Sequence, residues 1–295
     1  MKATTMLDTV RSLLGVPSCA IPLSVCRVIR PYLLDRVGIP LNGTAILFVM
    51  PYLMTHDAKA PERNLSLYAV PRDYHGYVKE LEAAVLPTLH GLYPQNRFAL
   101  FADHSPIAEV NAAARAGLGV LGLHHLLITP AYGSFVFIGE VITDADYTAV
   151  TGEVPPIFPD VPPTCEECGL CRKACPAENA CHPSACLSAI TQKKGKLTPE
   201  EAAAMMTAGL IWGCDACQLA CPHNLRVLHE GRDTPIPYFR NNRQLRLTES
   251  ALCAMSDEEF SVRAYAWRGR STIQRNLRLV CPESIPDESI ERSHS

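Results

Sequence analysis

The chain has 295 residues and a formal net charge of −3, with 47% hydrophobic and 19% charged residues. This balance supplies enough apolar side chains for a substantial core and excludes global disorder, and the small net charge excludes polyanion binding by bulk charge alone. No apolar run reaches the length that spans a bilayer, and the N-terminus lacks the long apolar segment of a secretory signal. We therefore expect a cytoplasmic protein without membrane contact.

The first half of the chain mixes predicted strands and helices. Apolar runs predict strands at 44–50, 97–102, about 125–129 and 134–142. A helix is expected over 74–90, and a second one has Ser105 as its N-cap, Pro106 at its first position and its end near Ala116. The turn at 130–133 is expected to join the last two strands as an antiparallel hairpin. This mixture predicts an α+β fold.

The chain divides at a proline-rich stretch. Residues 154–163 contain five prolines, which indicates a stiff linker, and the cysteine-rich part follows directly. The expected segments are an α+β domain at 1–153, the linker at 154–164, a ferredoxin-like domain at 165–225 and an arginine-rich helical region at 226–295. Inside the ferredoxin-like domain, Thr198 and Glu201 form the expected capping box of a helix.

Cysteine is the most informative residue type. The chain has 13 cysteines, and nine of them lie between Cys165 and Cys221. Such clustering in a chain without a secretion signal favours metal binding over a disulfide scaffold. The first motif, C-x2-C-x2-C-x3-C-P, contains Cys165, Cys168, Cys171 and Cys175. The second, C-x2-C-x3-C-P, contains Cys214, Cys217 and Cys221.

These spacings are typical of two 4Fe–4S clusters, where three cysteines of one run ligate one cluster and the fourth ligates the other. One cluster is predicted to take Cys165, Cys168, Cys171 and Cys221. The other is predicted to take Cys175, Cys214, Cys217 and either Cys181 or Cys186. Structural zinc also uses C-x2-C pairs, but it requires neither the third cysteine of the first run nor the proline after each motif.

A glycine motif invites a different interpretation. Gly117, Gly119 and Gly122 match G-x-G-x-x-G. A dinucleotide fingerprint follows a strand and opens a helix, whereas here a predicted helix precedes the motif and a predicted strand follows it. We therefore do not expect NAD or FAD. The glycines instead let the backbone approach a flat ligand or another element closely.

Further motifs occur in order along the chain. They are Tyr68-Ala-Val-Pro-Arg-Asp-Tyr-His75, Asp103-His-Ser-Pro-Ile-Ala-Glu109, Ala116-Gly-Leu-Gly-Val-Leu-Gly122, Gly133-Ser-Phe-Val-Phe-Ile-Gly-Glu140 and Cys186-Leu-Ser-Ala-Ile-Thr191. With both cysteine motifs, they make the chain resemble the cobalamin-dependent, iron–sulfur epoxyqueuosine reductases of tRNA queuosine biosynthesis. The sequence departs from that family at Val120 and Leu123, where the family has tryptophan and lysine, and it does not contain the long C-terminal helical repeats of many members.

The resemblance implies an oxidoreductase that reduces epoxyqueuosine to queuosine in tRNA, with cobalamin beside one cluster and Asp103 as the proton donor. It also favours Cys186 over Cys181 as the eighth ligand. Because Asp103 follows an apolar strand, we expect it to be buried and to remain protonated near neutrality. Its alternative role is to cap the following helix or turn.

Seven residues are predicted to contact cobalamin: Asp73, Tyr74, His75, Gly117, Gly119, Gly122 and Ser134. Asp73, Tyr74 and His75 lie at a strand-to-helix junction, where capping is the alternative role. No D-x-H-x-x-G segment is present, so we expect cobalamin to be held without a histidine ligand to cobalt. Of the adjacent His124 and His125, one is expected to be buried and the other exposed.

Arginine points to the partner. Ten of the 20 arginines lie between Arg226 and Arg278, and the stretch 261–280 combines five of them with Tyr265 and Trp267 and contains no acid. Arginine fits phosphates and aromatic rings stack on bases, so this region predicts tRNA contact; a solvated helical face is the alternative. We also expect an external low-potential electron donor such as ferredoxin or flavodoxin. The alternative functions are reduction of a small-molecule epoxide or halide, and a 4Fe–4S electron carrier without a corrin.

Overall fold

The computed structural model describes residues 4–176 and 186–281 of the chain. Its strands are β1 Ser18–Pro22, β2 Thr44–Pro51, β3 Phe98–Phe101, β4 Val120–Leu121, β5 Leu127–Ile128 and β6 Val136–Thr143. Its upstream helices are α1 Met6–Leu14, α2 Pro31–Val37, α3 Tyr74–Leu92, α4 Glu109–Arg115 and α5 Tyr147–Thr151. Its downstream helices are α6 Leu170–Lys173, α7 Leu187–Thr191, α8 Pro199–Ala208, α9 Ala216–Leu219, α10 Pro222–His229, α11 Pro237–Arg240, α12 Glu249–Ala254, α13 Asp257–Ser261 and α14 Arg270–Val280.

A four-stranded antiparallel sheet organises the upstream half, in the order β1-β2-β6-β3. Strand β2 is buried along its whole length because both faces of the sheet are covered. The short strands β4 and β5 form a separate ladder. The α+β prediction is therefore confirmed, as are the expected strand at 44–50 and the helix beginning at Tyr74.

Residues from before and after the linker pack together in the hydrophobic cores. One face of the sheet packs against α1 and α3, and this core also contains Val227, Ile236 and Phe239 from the downstream half. The other face packs against α2 and α4. A third core joins Leu65 to Trp212. The segments predicted as separate domains thus share hydrophobic cores.

Helix α4 begins later than predicted. It starts at Glu109 rather than at Pro106. The carbonyl of Pro106 accepts the backbone N–H groups of Ile29 and Arg30, and the Ala108 N–H donates to the Arg27 carbonyl. The predicted first turn is therefore extended chain tied to residues 27–30, because these contacts between distant segments outweigh the local helix signal of a serine followed by proline.

The predicted hairpin between the last two strands is wrong. Strand β5 pairs with β4, whereas β6 lies between β2 and β3 in the large sheet. The turn itself forms, since Thr129 and Gly133 exchange backbone hydrogen bonds. Eight register pairs with β2 hold β6 in the buried sheet, and β5 is too short to compete.

The capping box predicted for the downstream half is present: the Thr198 hydroxyl accepts the Glu201 N–H, and the Glu201 carboxylate accepts the Thr198 N–H at the start of α8. Among residues 4–176 and 186–281, no helix combines the length and the hydrophobicity that crossing a membrane requires.

Candidate functional site

A cavity of about 250 Å³ opens to solvent beside the end of β3. Its apolar lining consists of Val110, Leu126, Leu127, Val136, Phe137 and Ile138, and its polar lining consists of Tyr74, Asp103 and Glu109. The aromatic ring of Tyr74 stacks on Phe137 with a centroid distance of 4.1 Å, which fixes the phenol against the cavity wall. The cavity thus combines an apolar surface with acidic groups gathered on one part of its wall.

Asp103 lies at the mouth of this cavity rather than in its interior. Its side chain is 72% exposed, so the expected burial of Asp103 is wrong. The backbone adopts a φ of 64°, and its N–H donates to Glu109 Oε1 at 3.0 Å. This left-handed turn after β3, held by Glu109, turns the aspartate out of the apolar layer that the strand occupies.

A histidine joins two of the aspartates. Asp73 is the N-cap of α3 and accepts the backbone N–H of His75, so its capping role is present. The Nδ1 atom of His75 lies 2.8 Å from Asp73 Oδ1, and its Nε2 lies 3.9 Å from Asp103 Oδ2. The hydrogen bond to Asp73 raises the pKa of His75 above its ordinary value. The His75 ring thus lies between the two aspartates, hydrogen-bonded to Asp73 and close to Asp103.

The cavity lining does not include Gly117, Gly119, Gly122 or Ser134. A Cβ at Gly119 would lie 2.2 Å from the Ile128 carbonyl oxygen, so this glycine serves close packing against β5. The Ser134 hydroxyl accepts hydrogen bonds from the side-chain amides of Asn224 and Gln218. Contact of these four residues with cobalamin stays a prediction.

Two carboxyl groups at this site were not singled out from the sequence. Glu109 lines the cavity, and Glu140 is fully buried behind it on β6. The available signals were the two motifs that end in Glu109 and Glu140, and Glu140 is also the one acid in the strand Val136–Thr143.

The first group of cysteines surrounds a second, smaller cavity of about 80 Å³. Its four cysteines are Cys165, Cys168, Cys171 and Cys221. These are the residues that the crossed pattern assigns to one cluster, although Cys221 belongs to the second motif. In the part of the chain that the structure describes, no three potential ligand side chains converge on one ion; these four thiols instead line a hollow.

The second group of cysteines combines members of both motifs with a cysteine from the segment between them. The pKa of Cys214 is raised to about 11 by burial, and Cys186 and Cys175 are among the thiols whose charges act on it. Burial, followed by the charges of Cys214 and Cys186, raises the pKa of Cys217 to about 12. Cys186 is therefore among the cysteines of this group, whereas Cys181 lies outside the described residues.

Polar side chains surround the first group. His223 Nε2 lies 2.9 Å from Glu166 Oε2 across the rim of the small cavity. His124 lines the same cavity, and burial lowers its pKa to about 4, so its imidazole is neutral near pH 7. His125 is exposed, which confirms the expected division between the two histidines.

The hairpin 120–128, formed by β4, β5 and their connection, separates the two cavities. On one side, the Leu123 N–H donates to Cys165 Sγ at 3.4 Å. The Leu121 carbonyl also accepts the Cys165 N–H. On the other side, Leu126 and Leu127 line the larger cavity. One short segment therefore contacts both Cys165 and the cavity that contains Asp103.

More side chains of the arginine-rich region form hydrogen bonds and ion pairs within the chain than the sequence suggested. Arg270 donates to the carbonyls of Leu252 and Met255, and Arg278 pairs with Glu249. Other arginines of this region also donate to carbonyl oxygens within the chain. Tyr265 is buried, so it is not available to stack on a base. Trp267 is 59% exposed and carries the Arg268 guanidinium at 3.8 Å from its ring centroid, which leaves one arginine–aromatic pair at the surface.

Comparison with known families supports the cysteine assignments. Residues 164–224 match the family model described as a 4Fe-4S double cluster binding domain. This segment begins one residue before the first motif and ends two residues after the second. The chain therefore contains a ferredoxin-like double-cluster domain, and 4Fe–4S clusters rather than zinc are its metal centres.

Curated relatives extend the likeness through most of the chain. The epoxyqueuosine reductase of Listeria monocytogenes is 33% identical over 220 residues, which cover 70% of this chain and 54% of that protein. The epoxyqueuosine reductase of Gloeobacter violaceus is 30% identical over 244 residues, which cover 80% of this chain and 73% of that protein. The chain thus spans about half the length of the first relative and almost three quarters of the second.

A solved structure shares the fold. An epoxyqueuosine reductase determined with a tRNA-Tyr epoxyqueuosine-modified stem loop gives a TM-score of 0.68 at 23% identity, and the match covers 93% of this chain and 79% of that one. This likeness shows a shared fold. Together with the cavity, the two groups of cysteines and the relatives, it identifies the chain as a member of the epoxyqueuosine reductase family.

Proposed function

We propose that this protein reduces epoxyqueuosine to queuosine in tRNA, in the cytoplasm, with two 4Fe–4S clusters and cobalamin as its cofactors. The family is cobalamin- and iron–sulfur-dependent. The observation that carries the proposal is the hairpin 120–128, which contacts Cys165 on one side and lines the cavity of Asp103 on the other. An electron carrier has no need of such an arrangement, whereas a reductase needs a short route from a cluster to its substrate.

The larger cavity fits one face of a corrin. Six apolar side chains form its wall, which suits a flat macrocycle, and its volume of about 250 Å³ opens to solvent, so the remainder of a large cofactor has room outside. None of the residues that line it is a histidine. When bound, cobalamin would supply the low-potential metal chemistry that opens a carbon–oxygen bond.

The acidic side chains supply the protons. Reduction of an epoxide to an alkene consumes two electrons and two protons and releases one water molecule. Asp103, at the mouth of the cavity, is the residue that we assign to protonating the departing oxygen. Its neighbour His75 lies 3.9 Å away between two carboxylates and returns a proton to Asp103 or holds its orientation. Tyr74, stacked on Phe137, orients the substrate or cofactor against the apolar wall.

Two observations support tRNA as the substrate. A family member with the same fold has been determined with an epoxyqueuosine-modified tRNA stem loop. In this chain, the exposed Trp267 and the Arg268 guanidinium above it offer a stacking surface and a positive charge to a nucleic acid. We further propose that electrons come from an external low-potential donor such as ferredoxin or flavodoxin.

The deciding experiment is turnover. Anaerobically purified, cobalamin-loaded protein with a low-potential reductant is expected to convert epoxyqueuosine-containing tRNA to queuosine-containing tRNA. Asp103→Asn should abolish this conversion while the visible spectrum of the clusters and the iron content stay as in wild type. Asp35→Asn, on the separate helix α2, is the matched control and should retain activity. Absence of turnover by the wild-type protein would reject the tRNA substrate.

One observation favours a second substrate class. Because several arginines of the region 263–278 are engaged within the chain, fewer of them remain to bind phosphates. Reduction of a small-molecule epoxide or halide in the same cavity is therefore the second candidate. Turnover of such a compound by a wild-type preparation that is inactive on tRNA would favour it. Failure of the protein to bind cobalamin would instead favour the electron-carrier hypothesis.

A further inference from the structure

His124 is a buried histidine on the hairpin 120–128. It is 8% exposed and lines the smaller cavity together with the first group of cysteines. A Cβ built on Gly122 would lie 2.7 Å from Nδ1 of the His124 ring and closer still to its Cε1, so the ring packs directly against the glycine backbone. Gly122, the last glycine of the G-x-G-x-x-G motif, thus leaves the space that the imidazole occupies.

The backbone of the same hairpin determines which ring nitrogen carries the hydrogen. The Leu126 N–H donates to His124 Nδ1 at 3.2 Å. A ring nitrogen that accepts a hydrogen bond has a free lone pair and no hydrogen, so the imidazole is neutral and its one N–H is at Nε2. Nε2 is therefore a hydrogen-bond donor.

This donor has no acceptor in the described part of the protein. The ring edge with Nδ1 and Cε1 lies against Gly122 and the Leu126 N–H, so Nε2 and Cδ2 are on the side that faces away from them. Nε2 is shielded from water, and no atom of residues 4–176 and 186–281 accepts its hydrogen. A buried N–H without an acceptor loses the hydrogen bond that it makes to water in the unfolded chain. We therefore expect another group in the cavity to accept it.

An iron–sulfur cluster between the cysteines would supply that acceptor. The sulfides and thiolates of a 4Fe–4S cluster carry negative charge and accept hydrogen bonds. Of the carboxylates in the lining, Glu166 pairs with His223 at 2.9 Å, and Glu167 is exposed to solvent. Cys171 and Cys221 are buried. Sulfur is thus the acceptor that the closed part of this cavity offers.

We propose that the Nε2–H of His124 donates a hydrogen bond to a sulfur of the first 4Fe–4S cluster and thereby raises the reduction potential of that cluster. The inference rests on the proposed function, in which the first group of cysteines ligates one cluster. Reduction brings one electron from the external low-potential donor, and no covalent bond forms or breaks. The added negative charge strengthens a hydrogen bond to sulfur, so the reduced state is stabilised more than the oxidised state.

Two neighbouring residues of the hairpin then donate to the same cluster. The Leu123 N–H donates to Cys165 Sγ at 3.4 Å, and this backbone donor is present whichever side chain occupies position 123. The donor of His124 belongs to the side chain, so a substitution can remove it. His124 acts on the cluster without being one of its ligands.

The test compares two variants that both lose the Nδ1 acceptor. His124→Phe keeps a buried ring without a donor, whereas His124→Gln places an amide N–H near the position of Nε2. Potentiometric titration of the cluster-loaded protein is followed by electron paramagnetic resonance, and the signal that Cys165→Ser removes identifies the first cluster. The exposed neighbour His125 provides the control His125→Asn, which should match wild type.

The expected result is a shift of the first cluster alone. His124→Phe should change the ratio of reduced to oxidised cluster about tenfold in favour of the oxidised form, which corresponds to a potential about 59 mV lower for one electron. His124→Gln should recover at least half of this shift. The potential of the second cluster should stay as in wild type in both variants.

A second measurement applies even if His124→Phe does not assemble the cluster. In protein with 15N-labelled histidine, electron–nuclear double resonance of the reduced first cluster should show one weakly coupled nitrogen and an exchangeable proton. His223→Gln, which removes the other histidine of the cavity, should retain this nitrogen coupling, and His124→Gln should lose it.

An unshifted potential in His124→Phe, or equal shifts in His124→Phe and His124→Gln, overturns the hydrogen bond as the cause. Absence of the weak nitrogen coupling in wild type also overturns it, and a strong coupling would show that His124 ligates iron instead. None of these measurements requires turnover. Wild type that is inactive on tRNA rejects the proposed substrate, while the potential and the nitrogen coupling still decide the role of His124.

Discussion

The backbone N–H of Leu123 lies 3.4 Å from the Sγ of Cys165, which ties the upstream half of the chain to the first group of cysteines. Hydrogen bonds to ligand sulfurs and nearby charges both set the reduction potential of an iron–sulfur cluster. The side chain at position 123 also lines the cavity between those cysteines. A substitution at position 123 should therefore change the reduction potential of the cluster without removing a ligand.

Leu123→Lys should raise the reduction potential of the first cluster, because a cation near the thiolates stabilises the more negative, reduced state. The expected shift is about 20–60 mV, which corresponds to about 0.5–1.4 kcal/mol for a one-electron couple, and it should shrink at high salt. Potentiometric titration followed by electron paramagnetic resonance measures it. Leu123→Met is the neutral control, and an equal shift in that variant would contradict the electrostatic explanation.

Replacing the last cysteine of either motif should remove the cluster that the other motif mainly ligates. Cys221→Ser lies in the second motif but should destroy the first cluster, whereas Cys175→Ser lies in the first motif and should destroy the second. Each variant should fall from about eight irons per chain to about four. Iron analysis and the resonance spectrum of the remaining cluster check this. If each substitution removed the cluster of its own motif, the crossed assignment would be wrong.

Asp73→Asn should lower the pKa of His75 towards its ordinary value, because the hydrogen bond to Asp73 is the largest cause of the raised pKa. Chemical-shift titration of the His75 ring by NMR measures the change. In wild type the charged histidine stabilises the fold below its unfolded pKa, and that contribution is lost as pH rises through the higher folded pKa. The variant should therefore lose stability on the acidic side, and an unchanged titration would remove Asp73 as the cause.

Arg243→Met should destabilise the protein by about 3–5 kcal/mol, because it leaves the buried Asp57 without its cation. The guanidinium Nε of Arg243 donates to Asp57 Oδ2 at 2.7 Å, and this pair joins the downstream chain to the segment after β2. Denaturant unfolding measures the loss, with the exposed Arg246→Met as control. The double variant Asp57→Asn, Arg243→Met should recover part of it, and an additive loss instead would show that the pair is not coupled.

The elements that the sequence predicted are those whose signal is local. Strand β2 is a continuous apolar run, and α8 begins with a capping box, so neither needs knowledge of the rest of the chain. The cysteine spacing likewise predicted which thiols gather around the smaller cavity. The partners of β5 and of β6 were not predictable, because they depend on which distant strands compete for β6.

The site shows the same division. The motif that contains Asp103 predicted its place near a cavity, but not its exposure, because the left-handed turn is held by Glu109 six residues later. The position of Glu109 beside the Asp103 turn depends on where α4 begins, and contacts with a distant segment set that start. Similarly, the sequence predicted free arginines after residue 261, whereas several of them satisfy backbone carbonyls that only the tertiary structure brings near.

The hairpin that carries Leu123 and Leu127 is constrained from two directions. In the proposed function, a residue inserted into it would lengthen the path of the electron and, at the same time, alter the wall of the cavity that receives the substrate. The rate of electron transfer and the choice of substrate would then depend on the same short segment, and a change in its length that is harmless in most β-ladders should be poorly tolerated here.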